Sequence, residues 1–186
     1  MRTPSSLKAL SLCTLAALAF STGCTNPDPD VAPTAVESWT AEDEATAIAD
    51  AEQAIRDWMY VGSQCLADPP NTDPSCFDDV ATDDFLIRER EALEDAQDEG
   101  FRYLGAPKLL RTERVVFIQL TVGTSKEVQL SVCTDRTDYD VLMPDGTSGI
   151  PPGTPAHTRA IYTVRKHARQ WKVADITPED PEHPEC

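Results

Sequence analysis

The sequence predicts an α+β domain: two N-terminal helices packed on a curved antiparallel sheet. Three observations lead there. Apolar residues recur three or four apart over residues 48–59 and again over 85–96, the spacing of one buried helix face. Beyond residue 100 the period falls to two, the spacing of half-buried strands. The clearest case is 158–177, TRAIYTVRKHARQWKVADIT, which reads as two strands around a polar turn. A chain of 186 residues accommodates one such domain with accessory segments and can bury its own core.

The first 23 residues read as an export signal. Arg2 and Lys8 supply a positive start, and the apolar run 9–20 is too short for a permanent membrane span. Ser21-Thr22-Gly23-Cys24 follows and resembles the bacterial lipobox, in which small residues precede a cysteine that takes a diacylglyceryl thioether. That resemblance implies cleavage before Cys24 and an anchor of two or three acyl chains, palmitate among them, which holds a domain far more firmly than one chain. The alternative is an ordinary secretory signal in which Cys24 is incidental. Residues 24–39 lack periodicity and are rich in Pro, Thr and Asp, so a disordered acidic tether is expected, reaching about 55 Å when extended at ~3.5 Å per residue.

Helix one is expected from Thr40. Thr40 and Asp43 approximate a capping box, and Glu42, Asp43 and Glu44 suit the positive end of the helix dipole. Ile48, Ala51, Ile55, Trp58 and Met59 form its apolar face, and Gly62 is expected to end or bend it. Three prolines between Cys65 and Cys76 forbid a continued helix, and in an oxidising compartment these two cysteines are expected to pair. Their spacing is not that of a zinc site. A helical turn is expected over 77–81, then a second helix capped by Asp83 or Asp84 and ending at Gly100, with Phe85, Leu86, Leu93 and Ala96 buried.

Strands follow at 102–105, at 108–122 with a bend near Thr112-Glu113, at 128–133 after a turn at 123–125, and at 139–143. A Pro/Gly-rich loop leads to the final hairpin. There Ala160, Tyr162, Val164 and Lys166 share a face; Trp171, Val173 and Asp175 are expected to oppose Lys172, Ala174 and Ile176. The domain is expected over 40–177, leaving 178–186 as an acidic, proline-broken tail that ends in Cys186. Cys133 and Cys186 either pair, tying the tail across the sheet, or are unrelated thiols.

The net charge of −16, from 32 acidic and 16 basic side chains, argues against nucleic-acid partners, whose phosphates would be repelled. Acids dominate up to residue 100 and bases over 101–176, so an acidic helical half is expected against a mildly basic sheet, a pattern that solubility alone explains. Reaction chemistry is sparse. Neither a G-x-S-x-G elbow nor a phosphate loop occurs. His157, His167 and His183 fall before a strand, in a turn and in the tail. Asp135, Asp138, Asp140 and Asp145 miss the EF-hand spacing and enclose Arg136, as a solvated hairpin would. No catalytic residue, metal ligand or cofactor is assigned.

Two helices, a long meander and the closing WKVADI strand are similar to the nuclear transport factor 2-like (cystatin-like) fold, a cone of bent sheet around the first helix. The chain most resembles its lipid-anchored or secreted actinobacterial members, which also carry the C-x-D step found here at Cys133-Thr134-Asp135. The resemblance implies a cone cavity, with Trp58, Tyr103, Asp135 and Tyr162 as candidate lining residues and with Trp58 and Phe85 filling much of the space. The expected function is a non-catalytic binding or positioning domain on the extracytoplasmic side of the cell membrane, acting on an envelope ligand or protein. The alternatives are an isomerase, cyclase or dehydratase-like enzyme using the cavity, and a scaffold that homodimerises through the open sheet. Membrane fractionation tests the anchor: Cys24→Ala should move the protein from membranes to the soluble fraction, and unchanged retention would refute acylation at Cys24.

Overall fold

The computed structural model describes residues 40–119, 126–179 and 186. The expected signal, Cys24, the expected tether, the expected turn at 123–125 and His183 lie outside the described residues. The compact unit is Trp39–Cys186. It contains helices α1 (Ala41–Cys65) and α2 (Asp83–Glu99) and strands β1 (Arg102–Leu104), β2 (Lys108–Gln119), β3 (Lys126–Asp135), β4 (Asp140–Leu142), β5 (His157–His167) and β6 (Gln170–Pro178). The main sheet is antiparallel throughout in the order β2-β3-β5-β6, and β1 pairs with β4 as a separate ribbon. The fold is therefore α+β. Among the described residues no helix is long and apolar enough to cross a membrane.

The expected capping box forms: the Thr40 hydroxyl accepts from the Asp43 amide at 3.1 Å, and the Asp43 carboxylate accepts from the Thr40 amide at 3.3 Å. Ala47, Ala51 and Ala54 then lie on the buried face with Ile55, so the first half of α1 presents small side chains to the sheet. Gly62 does not end α1. It packs inside the helix near Phe77 and Trp58, and the chain turns only at Leu66, ahead of Pro69 and Pro70.

The connection to α2 differs from expectation. The short helical turn is a 3-10 helix at Pro74–Phe77, ahead of residues 78–81. Those residues instead reach the edge of β6, where the Val173 amide donates to Val80 O at 3.0 Å and the Thr82 amide to Val173 O at 2.9 Å. The N-cap of α2 is accordingly Thr82, held by that backbone pairing, while Asp83 is drawn to Arg165. Gly100 adopts the left-handed conformation (φ 77°) that closes α2, as expected. Gly105 is required for another reason: a Cβ there would fall 1.9 Å from Asp138 O, so only glycine lets the β1 end approach the turn before β4.

Two strands carry bulges. In β2 the register shifts between Leu109/Arg111 and between Thr112/Arg114, which places the bend where the sequence predicts it. Leu109, Thr112, Val115 and Phe117 thereby share the face of Val128, Leu130 and Val132. In β6 the shift falls opposite Thr163/Val164, with Ala174 as the extra residue. This corrects simple alternation: Val173 and Ile176 both join the core side, opposite Val164 and Tyr162, and Asp175 stands opposite Thr163 and pairs with Arg88.

The other face of the sheet is polar and strapped. Arg165 donates to the buried Glu127, its direct cross-strand neighbour, at 2.6 Å. Glu179 accepts from Ser131 and Arg114, and Arg111 donates to Cys186 O at 3.0 Å. Cys133 is bonded to Cys186, and Cys65 to Cys76. The Cys186 end of the tail is thus fastened to β3, which answers the question left open for that pair. Peptide mapping without reductant should recover both pairs. Replacing Cys65 and Cys76 by alanine should lower unfolding stability by roughly 2–3 kcal/mol in a denaturant titration.

Candidate functional site

The second half of α1 replaces the alanine stripe with larger residues, and a pocket opens there. It has a volume of about 260 Å³ and is lined by Trp58, Met59 and Gly62 of α1, Phe85 and Glu89 of α2, and Tyr103, Pro107, Tyr139 and Ile176. A second hollow of about 350 Å³ adjoins it, sharing Trp58, Pro107, Tyr139 and Ile176 and continuing to Thr134, Arg136, Arg159 and Tyr162. Three of the four residues expected to line a cavity, Trp58, Tyr103 and Tyr162, are therefore brought together. Asp135 lines neither hollow. It ends β3 opposite Lys108 and His157, and its carboxylate accepts from the Thr137 amide at 2.8 Å and hydroxyl at 2.5 Å, which holds it below the usual carboxylate range.

Trp58 and Phe85 pack with ring centroids 5.6 Å apart, and Tyr162 meets Trp58 edge-on at 6.1 Å. They form one wall and do not fill the space, contrary to the expected infill. The ribbon of β1 and β4 supplies another wall. Tyr103 belongs to β1, Tyr139 immediately precedes β4, and their rings meet edge-to-face at 5.3 Å. Arg136 lies over the Tyr139 ring, its guanidinium carbon 4.9 Å from the centroid.

Glu89 is the carboxylate of the pocket. Its Oε2 accepts from the Trp58 indole N–H at 3.1 Å. Burial is the main influence and raises its pKa above the ordinary value, with the Trp58 hydrogen bond opposing. Burial likewise pushes the Tyr139 and Tyr162 phenols well up, so both stay protonated at neutral pH, while the Arg136 charge pulls each back toward ionisation. The arrangement offers an aromatic and aliphatic surface, phenolic hydroxyls, the Glu89 carboxyl group and two arginines, Arg136 and Arg159. The described residues contain no cluster of three metal-ligating side chains. Asp138 is paired with Lys108, Asp140 accepts from Ser148, and Asp145 accepts from Thr147.

Glu89, Tyr139 and Arg136 were not among the expected lining residues. Glu89 had a legible signal: it stands midway between Phe85 and Leu93, one helical turn from each, and so interrupts the buried stripe of α2 with an acid. Tyr139 and Arg136 had none, since the ribbon's placement brings them to the pocket.

No protein-family model matches the chain, and no curated protein sequence matches it. The crystal structure of the intermembrane-space region of the chloroplast protein ARC6 is similar, with a TM-score of 0.49 and 14% identity over 68% of this chain and 92% of that one.

Because burial raises the Glu89 pKa, the folded chain keeps this proton to higher pH than the unfolded chain. The stability it contributes is complete below the ordinary value of 4.5 and is lost as pH rises through the raised folded value. Glu89→Gln keeps an oxygen for Trp58 but cannot titrate. Its melting temperature relative to wild type should therefore climb as pH rises above the ordinary value of 4.5; a difference that stays flat would show that Glu89 titrates normally.

Proposed function

We propose that the protein is a lipid-anchored, extracytoplasmic binding domain with a nuclear transport factor 2-like cone, and that it holds a small, largely apolar molecule in the pocket beneath Trp58. The carrying observation is the pocket itself: aromatic and aliphatic walls, a few convergent polar groups, and a volume near the lower end of small-molecule sites. Two disulfides favour an oxidising compartment and agree with the export signal and the lipobox-like Cys24. Attachment through Cys24 and the tether would carry the pocket at the membrane surface, where apolar molecules concentrate.

One observation favours a second reading. Glu89 has a raised pKa in the same pocket as the Tyr103 and Tyr139 phenols, the kind of group that general acid–base catalysis uses. On that reading bound molecules would be converted, and Glu89→Gln would stop conversion without stopping binding.

Gly62 provides a clean test of the pocket. It lies in helical backbone, and a Cβ there would meet its nearest neighbours at 3.8 Å or more, which is ordinary contact. Gly62→Ala should be tolerated and gain about 1 kcal/mol from helix propensity. Gly62→Leu should fold but fill the pocket, so small apolar compounds that raise the melting temperature of wild type should have no effect on it. Equal thermal shifts for wild type and Gly62→Leu would refute this pocket as the binding site.

A further inference from the structure

Arg136 is unusual among the cations around the pocket. The neighbouring Arg159 is neutralised by Glu113 at 2.7 Å, and Lys108 by Asp138 at 2.6 Å. Arg136 has no carboxylate within ion-pair distance among the described residues; its contact is the face of Tyr139. Its position is fixed through the backbone, where its amide donates to Ala156 O at 2.7 Å and its carbonyl accepts from the Tyr139 amide at 3.0 Å. The guanidinium lines the hollow that shares Trp58 and Tyr139 with the main pocket, and its charge is felt by both the Tyr139 and Tyr162 phenols. In a chain of net charge −16, a half-buried cation beside an apolar pocket and without an internal counter-charge is set apart.

We infer that the ligand is an amphipathic organic monoanion, whose apolar body lies against Trp58 and Ile176 and whose carboxylate is received by Arg136 stacked on Tyr139. This rests on the pocket reading above and adds the charge of the ligand to it. A guanidinium resting over an aromatic ring, 4.9 Å from its centroid, retains N–H donors that can pair with a carboxylate. Removing water around the pair through the surrounding aromatic surface strengthens the attraction relative to bulk solvent. The described lining of the main pocket holds Glu89 and no cation, so it offers no partner to a second anionic group, and the ligand carries one negative charge.

The test compares octanoate with octanol, matched in chain length and differing in charge, by titration calorimetry on purified protein from residue 24 onward with both disulfides intact. Octanoate should bind at least tenfold more tightly than octanol. Arg136→Gln, which leaves both backbone hydrogen bonds available, should abolish that preference by weakening octanoate far more than octanol; Arg136→Lys should retain part of it. Equal affinities in wild type, or a preference that survives in Arg136→Gln, would overturn the anion inference and leave the pocket reading standing. Failure of both compounds to bind folded wild type, where Gly62→Leu also shows no difference, would overturn both.

Discussion

The close seating of α1 on the sheet is the constraint from which the rest follows. Ala47, Ala51 and Ala54 put almost nothing between the helix backbone and the strands, so Ile55 and Met59 reach the layer formed by Val128, Leu130, Val132 and Val164. Apolar surface removed there contributes roughly 25 cal/mol per Å². The helix cannot stay that close over its whole length, because Trp58 is the next large residue on the inward side. The change from alanine to tryptophan along one helix face marks where packing gives way to a hollow, and the candidate site occupies that place.

A second constraint positions the other wall. The backbone pairing of Val80 and Thr82 with Val173 covers the β6 edge and starts α2 from it. An uncovered edge would leave donors and acceptors open to pairing with another chain; here the edge instead orients a helix. Starting there, α2 carries Phe85 and Glu89 to the pocket. The Gln97 side chain meanwhile donates to Pro69 O and Thr72 O of the disulfide-closed loop, tying that loop to the far end of α2. Because Leu66, next to Cys65, lines the pocket, the Cys65–Cys76 bond acts close to the site, whereas Cys133–Cys186 fastens the tail to the opposite face of the sheet.

The legible parts of the fold were those set by local chemistry. The Thr40 cap, the apolar stripes of both helices, the Gly100 terminus and the period-two runs of β3 and β5 depend on residues within one or two turns of each other. The errors share one cause. Gly62 reads as a helix end from propensity alone, yet it is buried within α1, which continues past it to Cys65. Ala174 carries no mark of a bulge, and an extra residue in β6 is revealed only by its pairing with β5. Asp135 shares a strand with the core residues, but its position in the alternation puts it on the side of Ser131 and Cys133, opposite His157, and not on that of Leu130 and Val132.

By itself the sequence determined an acidic α+β domain, two helices ahead of antiparallel strands, and it offered Trp58, Tyr103, Asp135 and Tyr162 as cavity candidates with no recognisable catalytic motif. The elements follow from composition, periodicity and capping, which need no knowledge of distant contacts, whereas the cavity candidates came from the resemblance to a cone-shaped fold. Only the tertiary structure decided that Trp58 and Phe85 line a space rather than fill it, that Glu89 is the buried acid, and that Arg136 stands over Tyr139 beside the same hollow. The reason is physical: a pocket is made of surfaces from α1, α2, the β1–β4 ribbon and β6, and their separation depends on how all of them pack at once. No single stretch of chain carries that information.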